Sequence, residues 1–192
     1  MNERDPFDWC HAWLQDAERS EPVNPGAMSV ATVAGGRPSV RMVLLRGFDT
    51  RGFVFYTNLE SRKGDELRVN AHAALCFYWK SLGRQIRVEG VTELVSEAQA
   101  DTYFESRPRD SQIGAWASQQ SHELESRVVL EQSVAKVAAQ YGEGSVPRPP
   151  FWSGYRVSPE LFEFWEERPC RLHDRTCYRR DGAQWIVTKL YP

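Results

Sequence analysis

The sequence holds no CxxC pair, and its four cysteines, Cys10, Cys76, Cys170 and Cys177, fall at no zinc-binding spacing. They read as reduced thiols of a cytoplasmic protein, with Cys76 in the core. The four histidines, His11, His72, His122 and His173, form no HExxH or other ligand spacing, so no metal site is expected. GxGxxG is missing, which leaves a Rossmann dinucleotide site without support, and neither a P-loop nor a GxSxG nucleophile elbow occurs. No apolar run approaches the ~20 residues of a membrane span. The start, Met1-Asn2-Glu3-Arg4-Asp5, lacks a signal-peptide core, so no membrane association is expected. An excess of either charge is also lacking. The 24 Lys and Arg against 26 Asp and Glu leave a net charge of −2. Without a basic stripe, nucleic-acid binding is not expected, and any basic site must be local.

What is present suits one domain over residues 1–192, with an N-terminal helical part (1–24) and the remainder at 25–192. Hydrophobic content of 41% and charged content of 26% are ordinary for a globular chain. Aromatics are abundant, with seven Trp, seven Tyr and nine Phe, which suits a packed core, a subunit interface or a site for a flat cofactor. Residues 6–19 place Phe7, Cys10, Trp13, Leu14 and Ala17 on one helical stripe. Strands are expected at Ala27–Val33 and Pro38–Arg46 around a Gly35-Gly36 turn. Further strands are expected at 52–57, at Ala73–Trp79 (buried on both faces) and at Gln85–Leu94. Helices are expected at 60–69, from Ser96 to about Arg107, at Ser111–Ser118 and at Glu123–Tyr141, whose Val and Leu stripe reads as structural. Three strands finish the chain, at about Gly154–Val157, at Phe162–Trp165 with Arg171–Arg180, and at Gln184–Leu190. Seven or eight mostly antiparallel strands with surrounding helices make an α+β fold built on a small barrel.

Residues 41–64 organise the rest. Arg41–Arg46 and Gly52–Thr57 read as a hairpin around a Gly- and Asp-rich turn, and the second run feeds a helix opening at Ser61-Arg62-Lys63-Gly64. Arg41, Arg46, Arg62 and Lys63 thus meet free N–H groups of a helix start, which together form a phosphate-sized anion site. A solvated hairpin explains cations alone. It does not explain Arg41 and Arg46 bracketing the apolar run Met42–Leu45.

A second stretch is Arg171-Leu172-His173-Asp174-Arg175. On a strand, Arg171, His173 and Arg175 share one face, which is costly unless an anion meets them; a solvent-facing strand is the plain alternative. A third stretch, Tyr103 to Ser121, repeats Tyr, Arg and Ser at four-residue steps through Tyr103, Arg107 and Ser111. These converge on one phosphate if helix continues, although Pro108 disfavours that. Two anion-friendly clusters point to two phosphorylated ligands.

Arg41-Met-Val-Leu-Leu, Phe55-Tyr-Thr-Asn, Ser61-Arg-Lys-Gly, Arg107-Pro-Arg-Asp-Ser-Gln-Ile-Gly-Ala-Trp, Gln120-Ser, Phe164-Trp and Arg171-Leu-His-Asp-Arg together resemble the pyridoxamine/pyridoxine 5′-phosphate oxidase family. The resemblance runs from about residue 25 to the C-terminus. It implies an FMN-binding split β-barrel, a homodimer with FMN at the interface, and oxidation of pyridoxine 5′-phosphate (PNP) and pyridoxamine 5′-phosphate (PMP) to pyridoxal 5′-phosphate (PLP), with O2 reduced to H2O2.

The resemblance also implies FMN contacts from Arg41, Met42, Val43, Leu44, Leu45, Tyr56, Thr57, Arg62, Lys63, Gln85, Gln120, Ser121, Trp165 and Arg175. Arg62 and Lys63 are expected on the FMN phosphate. Arg46, Tyr103, Arg107 and Ser111 are expected on the substrate phosphate, with Arg171, Leu172 and His173 at the substrate ring and Arg171 and His173 catalytic. Three departures from the family pattern stand out. Arg46 replaces the usual Lys, Trp165-Glu166-Glu167 replaces Trp-Gln-Gly and adds negative charge near the flavin, and the segment before the first helix is nearly absent. Two other readings are a split-barrel flavin oxidase of another substrate, such as a phenazine-pathway relative, and a non-enzymatic PLP- or flavin-binding carrier.

Overall fold

The computed structural model describes residues 5–192, and the polar start read as lacking a signal-peptide core lies almost wholly outside them. Helix α1 (Pro6–Ser20) begins where the Asp5 carboxylate accepts from the Phe7 N–H at 2.8 Å, with Pro6 supplying the fixed φ of a first helical residue. Its expected stripe is real: Cys10, Trp13 and Ala17 are buried, and Phe7 and Leu14 pack beside them. The strands are β1 (Ala27–Ala34), β2 (Arg37–Leu44), β3 (Gly47–Asp49), β4 (Gly52–Asn58), β5 (His72–Trp79), β6 (Arg84–Leu94), β7 (Trp152–Glu166), β8 (Asp174–Asp181) and β9 (Gln184–Lys189). Every pairing is antiparallel, in the order β2-β1-β5-β6-β7-β4-β3, with β8 and β9 added beside β7. Among the described residues nine strands stand where seven or eight were expected.

The two ends of that order meet. The Leu45 N–H donates to the Gly26 carbonyl and the Arg46 N–H to the Val54 carbonyl, each at 2.8 Å, so the sheet curls into a barrel. The interior is apolar on one pleat face, as alternation requires. Phe53, Phe77, Phe162 and Phe164 are at most 1% exposed and contribute roughly 1.5–3 kcal/mol each. Helix α1 covers them, with the Trp9 ring stacked on Phe164 at 4.3 Å.

Several expectations are corrected. Arg41–Arg46 does not form a hairpin with Gly52–Thr57; β2 pairs with β1, and the hairpin is β3–β4, because the chain changes partner at Leu45-Arg46. Strand β5 is buried on one face only: Tyr78 is 57% exposed, and Cys76 lies half-buried on the outer face instead of in the core. Two expected strands are one, β7, which crosses Pro159 without breaking. The register shift at Glu89/Gly90 sits opposite Pro159, so the missing proline N–H falls at a bulge.

The strand expected from Arg171 starts only at Asp174. Before it, Pro169–Arg171 forms a 3-10 turn with Cys170 and Arg171 at φ 59° and 62°, which extended backbone cannot contain, so Arg171, His173 and Arg175 do not share a strand face.

The remaining helices are α2 (Arg62–Val69), α3 (Glu97–Glu105), α4 (Arg109–Ala117) and α5 (Arg127–Tyr141). Ser96 caps α3 by accepting the Gln99 N–H at 3.2 Å, as its spacing indicated. Helix α5 begins at Arg127, not Glu123, because Ser126 supplies the cap, accepting the Val129 N–H. None of its residues is fully buried; Val137, Ala138 and Tyr141 pack against a cluster around Trp152, while Val128 and Val134 face outward.

Candidate active site

A cavity of about 730 Å³ opens between β2, the end of β4, the first turn of α2 and the α3–α4 pair. Its most buried cation is Lys63, only 6% exposed. Gly64 permits this placement: a Cβ there would lie 2.0 Å from the Leu59 carbonyl oxygen, so only glycine lets the turn fold so tightly. The ammonium donates to Thr57 Oγ1 at 2.7 Å, Ser61 Oγ at 3.0 Å and Gln120 Oε1 at 2.7 Å. All three acceptors are neutral. Burial, with Arg41 adding repulsion and Glu66 opposing, lowers the Lys63 pKa to about 8. A desolvated cation among neutral acceptors suits an incoming anion, and the first N–H groups of α2 lie beside it.

Glu66 organises the neighbouring arginines. It accepts from Arg41 Nη2 and Arg62 Nε, each at 2.8 Å, and from Thr32 Oγ1. Burial works against its charge, but these three donors overcome that and hold its pKa down to about 2. Arg41 also donates to Thr32 Oγ1 and Ser39 Oγ, so its fork is spent inside the protein. Neither Arg41 nor Arg62 lines the main cavity. Arg62 and Ser121 instead border a smaller one beside Glu66, and Leu45 lies in a third under α1.

A second cationic wall carries Arg46, Tyr103, Arg107 and Ser111. Pro108 ends the helical run before it and caps α4, so Arg107 occupies the break between α3 and α4. Its guanidinium lies 4.7 Å from the Trp152 ring and 5.5 Å from Phe104. Its Nη1 is buried without a hydrogen-bond partner. Burial lowers its pKa, Tyr103 opposes the shift, and Arg46 adds to it. Together with Met42, Val43, Leu44, Tyr56, Thr57, Lys63 and Gln120, these residues make up the expected set that one chain gathers here. Trp152, Asn58, Ser106 and Ser118 line the cavity and were missed. Only a general abundance of aromatics hinted at Trp152.

Gln85, Trp165, Arg171, Leu172, His173 and Arg175 do not line this cavity. They form a second group. Gln85, Trp165 and Arg175 are cross-strand neighbours on β6, β7 and β8. The His173 ring lies 4.6 Å from Trp165, and its Nδ1 accepts the Arg168 N–H at 3.2 Å, which leaves Nε2 to carry the proton of the neutral ring. Arg175 donates to buried Glu163 at 2.8 Å, and Glu163 also binds Arg87. The Arg171 side chain has no hydrogen-bond or ion-pair partner among the described residues. Glu166, expected to bring negative charge, is paired with Arg84 at 3.0 Å and Arg168 at 2.6 Å, so that charge is locally balanced.

The family model "Pyridoxamine 5′-phosphate oxidase" matches residues 14–141, and "Pyridoxine 5′-phosphate oxidase C-terminal dimerisation region" matches 152–192. The chain belongs to the pyridoxamine 5′-phosphate oxidase family. It is 60% identical to the pyridoxine/pyridoxamine 5′-phosphate oxidase of Gluconobacter oxydans, covering 98% of this chain and 94% of that one. The enzyme of that name from Rhodospirillum rubrum is 57% identical, covering 100% and 98%. Among solved structures, PhzG from Burkholderia lata in complex with tetrahydrophenazine-1-carboxylic acid superposes with a TM-score of 0.92 at 34% identity, covering 100% of this chain and 94% of that one. An FMN-binding protein from Nostoc punctiforme shares the fold, with a TM-score of 0.78 at 18% identity.

Proposed function

We propose that the protein is an FMN-dependent oxidase that converts PNP and PMP to PLP. The observation that carries this is a pair of cations in one cavity that have no ion pair among the described residues: Lys63, bonded only to neutral oxygens, and Arg107, with an orphaned N–H. Each suits one phosphate. FMN brings one and a phosphorylated B6 vitamer the other.

Lys63 is assigned to the FMN phosphate, helped by Arg62 and Ser121 from the smaller cavity beside Glu66, while Met42–Leu44 support the flavin. Arg46, Tyr103, Arg107 and Ser111 are assigned to the substrate phosphate. Bound FMN supplies a two-electron acceptor for a hydride from substrate C4′, and O2 takes those electrons to give H2O2. For PNP the products are PLP and H2O2. For PMP, water also enters and ammonia leaves. The protein's part is to stack two rings and fix their phosphates.

The assembly is a homodimer, in keeping with the matched dimerisation region. The Gln85–Trp165–Arg175 group and the Arg171–His173 turn of one protomer complete the cavity of its partner. This reading explains why two groups of site residues lie on different parts of one chain. Arg171, without a hydrogen-bond or ion-pair partner among the described residues and held in a left-handed turn (φ 62°), is assigned to the face of the substrate ring, with His173 Nε2 as the available proton donor.

The test is the visible spectrum of purified protein, without oxygen, before and after PNP is added. Bleaching of a flavin spectrum, recovery in air and appearance of PLP are expected. A flavin spectrum untouched by PNP moves the substrate towards a tetrahydrophenazine carboxylate, as in the PhzG complex. A protein that cannot be loaded with FMN overturns the reading.

A further inference from the structure

Several arginines of this chain are held by carboxylates: Glu66 takes Arg41 and Arg62, Glu163 takes Arg87 and Arg175, and Asp49 takes Arg156. Arg107 is different. It forms no ion pair among the described residues and lies against two aromatic rings. We propose that Trp152 is the positioning residue for the substrate phosphate, its indole face holding the Arg107 guanidinium in the cavity with the donors left free. The inference rests on the oxidase reading above.

The physical argument turns on what each kind of partner consumes. A carboxylate takes the N–H fork and neutralises the charge, leaving nothing for a phosphate. An aromatic face attracts the cation through the ring quadrupole and uses no N–H. Indole is the strongest of the aromatic faces, and the interaction grows as water is excluded. Trp152 is 6% exposed, and Arg107 Nη1 is fully buried yet unpaired.

The ring is itself fixed. It lies parallel to Tyr56 (5.3 Å, 11°) and Tyr103 (6.1 Å, 4°) and meets Phe104 edge-on (5.1 Å, 71°). Arg148 Nη1 donates to the Trp152 carbonyl at 2.7 Å while the same guanidinium binds Asp101 and Glu97 of α3. The start of β7 is thereby tied to α3, the helix that ends at Glu105, two residues before Arg107. Tyr103, assigned to the same phosphate, belongs to the same stack.

The experiment measures KM and kcat for PNP in the FMN-loaded wild type, Trp152→Leu, Trp152→Phe, Arg107→Ala and the Arg107→Ala/Trp152→Leu double variant, with FMN content as a control. Trp152→Leu is expected to raise KM roughly tenfold, and Trp152→Phe by less, since a weaker ring replaces a stronger one. The loss falls on KM rather than kcat, and FMN content stays full. In the Arg107→Ala background, Trp152→Leu adds no further loss, because its effect runs through Arg107. Equal losses in both backgrounds, an unchanged KM, or a fall in kcat with loss of FMN overturns the proposal. If Trp152→Leu does not fold, Trp152→Phe is measured in both backgrounds, with the same two outcomes. A wild type inert towards PNP overturns the oxidase reading and this inference with it; an active wild type with additive variants overturns this inference alone.

Discussion

Lys63 Nζ lies 2.7 Å from Gln120 Oε1, a contact that joins the first turn of α2 to the loop after α4 across 57 residues of chain. It closes one end of the cavity and leaves the ammonium without a carboxylate partner. The free site's pKa of about 8 sets a pH dependence. Below it Lys63 is protonated and attracts the FMN phosphate; above it the charge must be restored at the expense of affinity. FMN affinity of the FMN-free protein is expected to fall as pH rises through about 8, by up to roughly tenfold per pH unit. The same depression from 10.5 means that burying the charged ammonium costs the FMN-free fold stability below pH 8, and that this cost is relieved as pH rises from 8 to 10.5, where the unfolded chain holds the proton and the folded one does not. Fluorescence titration with FMN across this range checks the first statement, and Lys63→Met should abolish the inflection.

Gly64 supports Lys63 from behind. In Gly64→Ala the new Cβ meets the Leu59 carbonyl at 2.0 Å, and backbone, unlike a side chain, cannot swing away. The expected cost is about 2–3 kcal/mol of stability with loss of bound FMN. A denaturant midpoint equal to wild type would contradict it.

Gly114 is the opposite case. It lies inside α4 and lines the cavity, and a Cβ there meets nothing within 4 Å of the chain itself. Gly114→Ala should therefore stabilise the helix by about 0.5–1 kcal/mol. The methyl projects into ligand space, so kcat/KM for PNP should drop while the melting temperature rises. A rise in both would show that the glycine serves no ligand.

Arg171 has no hydrogen-bond or ion-pair partner among the described residues. Arg171→Ala should lower turnover by about 100-fold or more through loss of substrate alignment, with FMN retained. Unchanged turnover in a fully yellow variant would remove Arg171 from the substrate site.

Much of this was legible locally. The stripe of α1, the Gly35-Gly36 turn (φ 57° and 72°) and the Ser96 cap each depend on residues within a turn or two, and each is where its pattern put it. The helix start at Ser61-Arg62-Lys63-Gly64 was legible too, because a helix start and its cations are contiguous. The ion pair of Arg41 was not legible, because its partner, Glu66, lies 25 residues away. Residues 171–173 were misread as strand because alternation cannot reveal the positive φ at Arg171.

Residue order by itself determined which segments extend or coil, which faces are apolar and which cations cluster, since these follow from spacing and short-range sterics. Only tertiary structure decided that β7 would pair with β6 along its length, with β4 over its first half and with β8 over its second. That choice brought Trp152 under Arg107 and set the Gln85–Trp165–Arg175 group apart from the Lys63 cavity. The reason is physical. Desolvation and cation–π contact depend on what packs against a group from distant parts of the chain, and no local spacing carries that information.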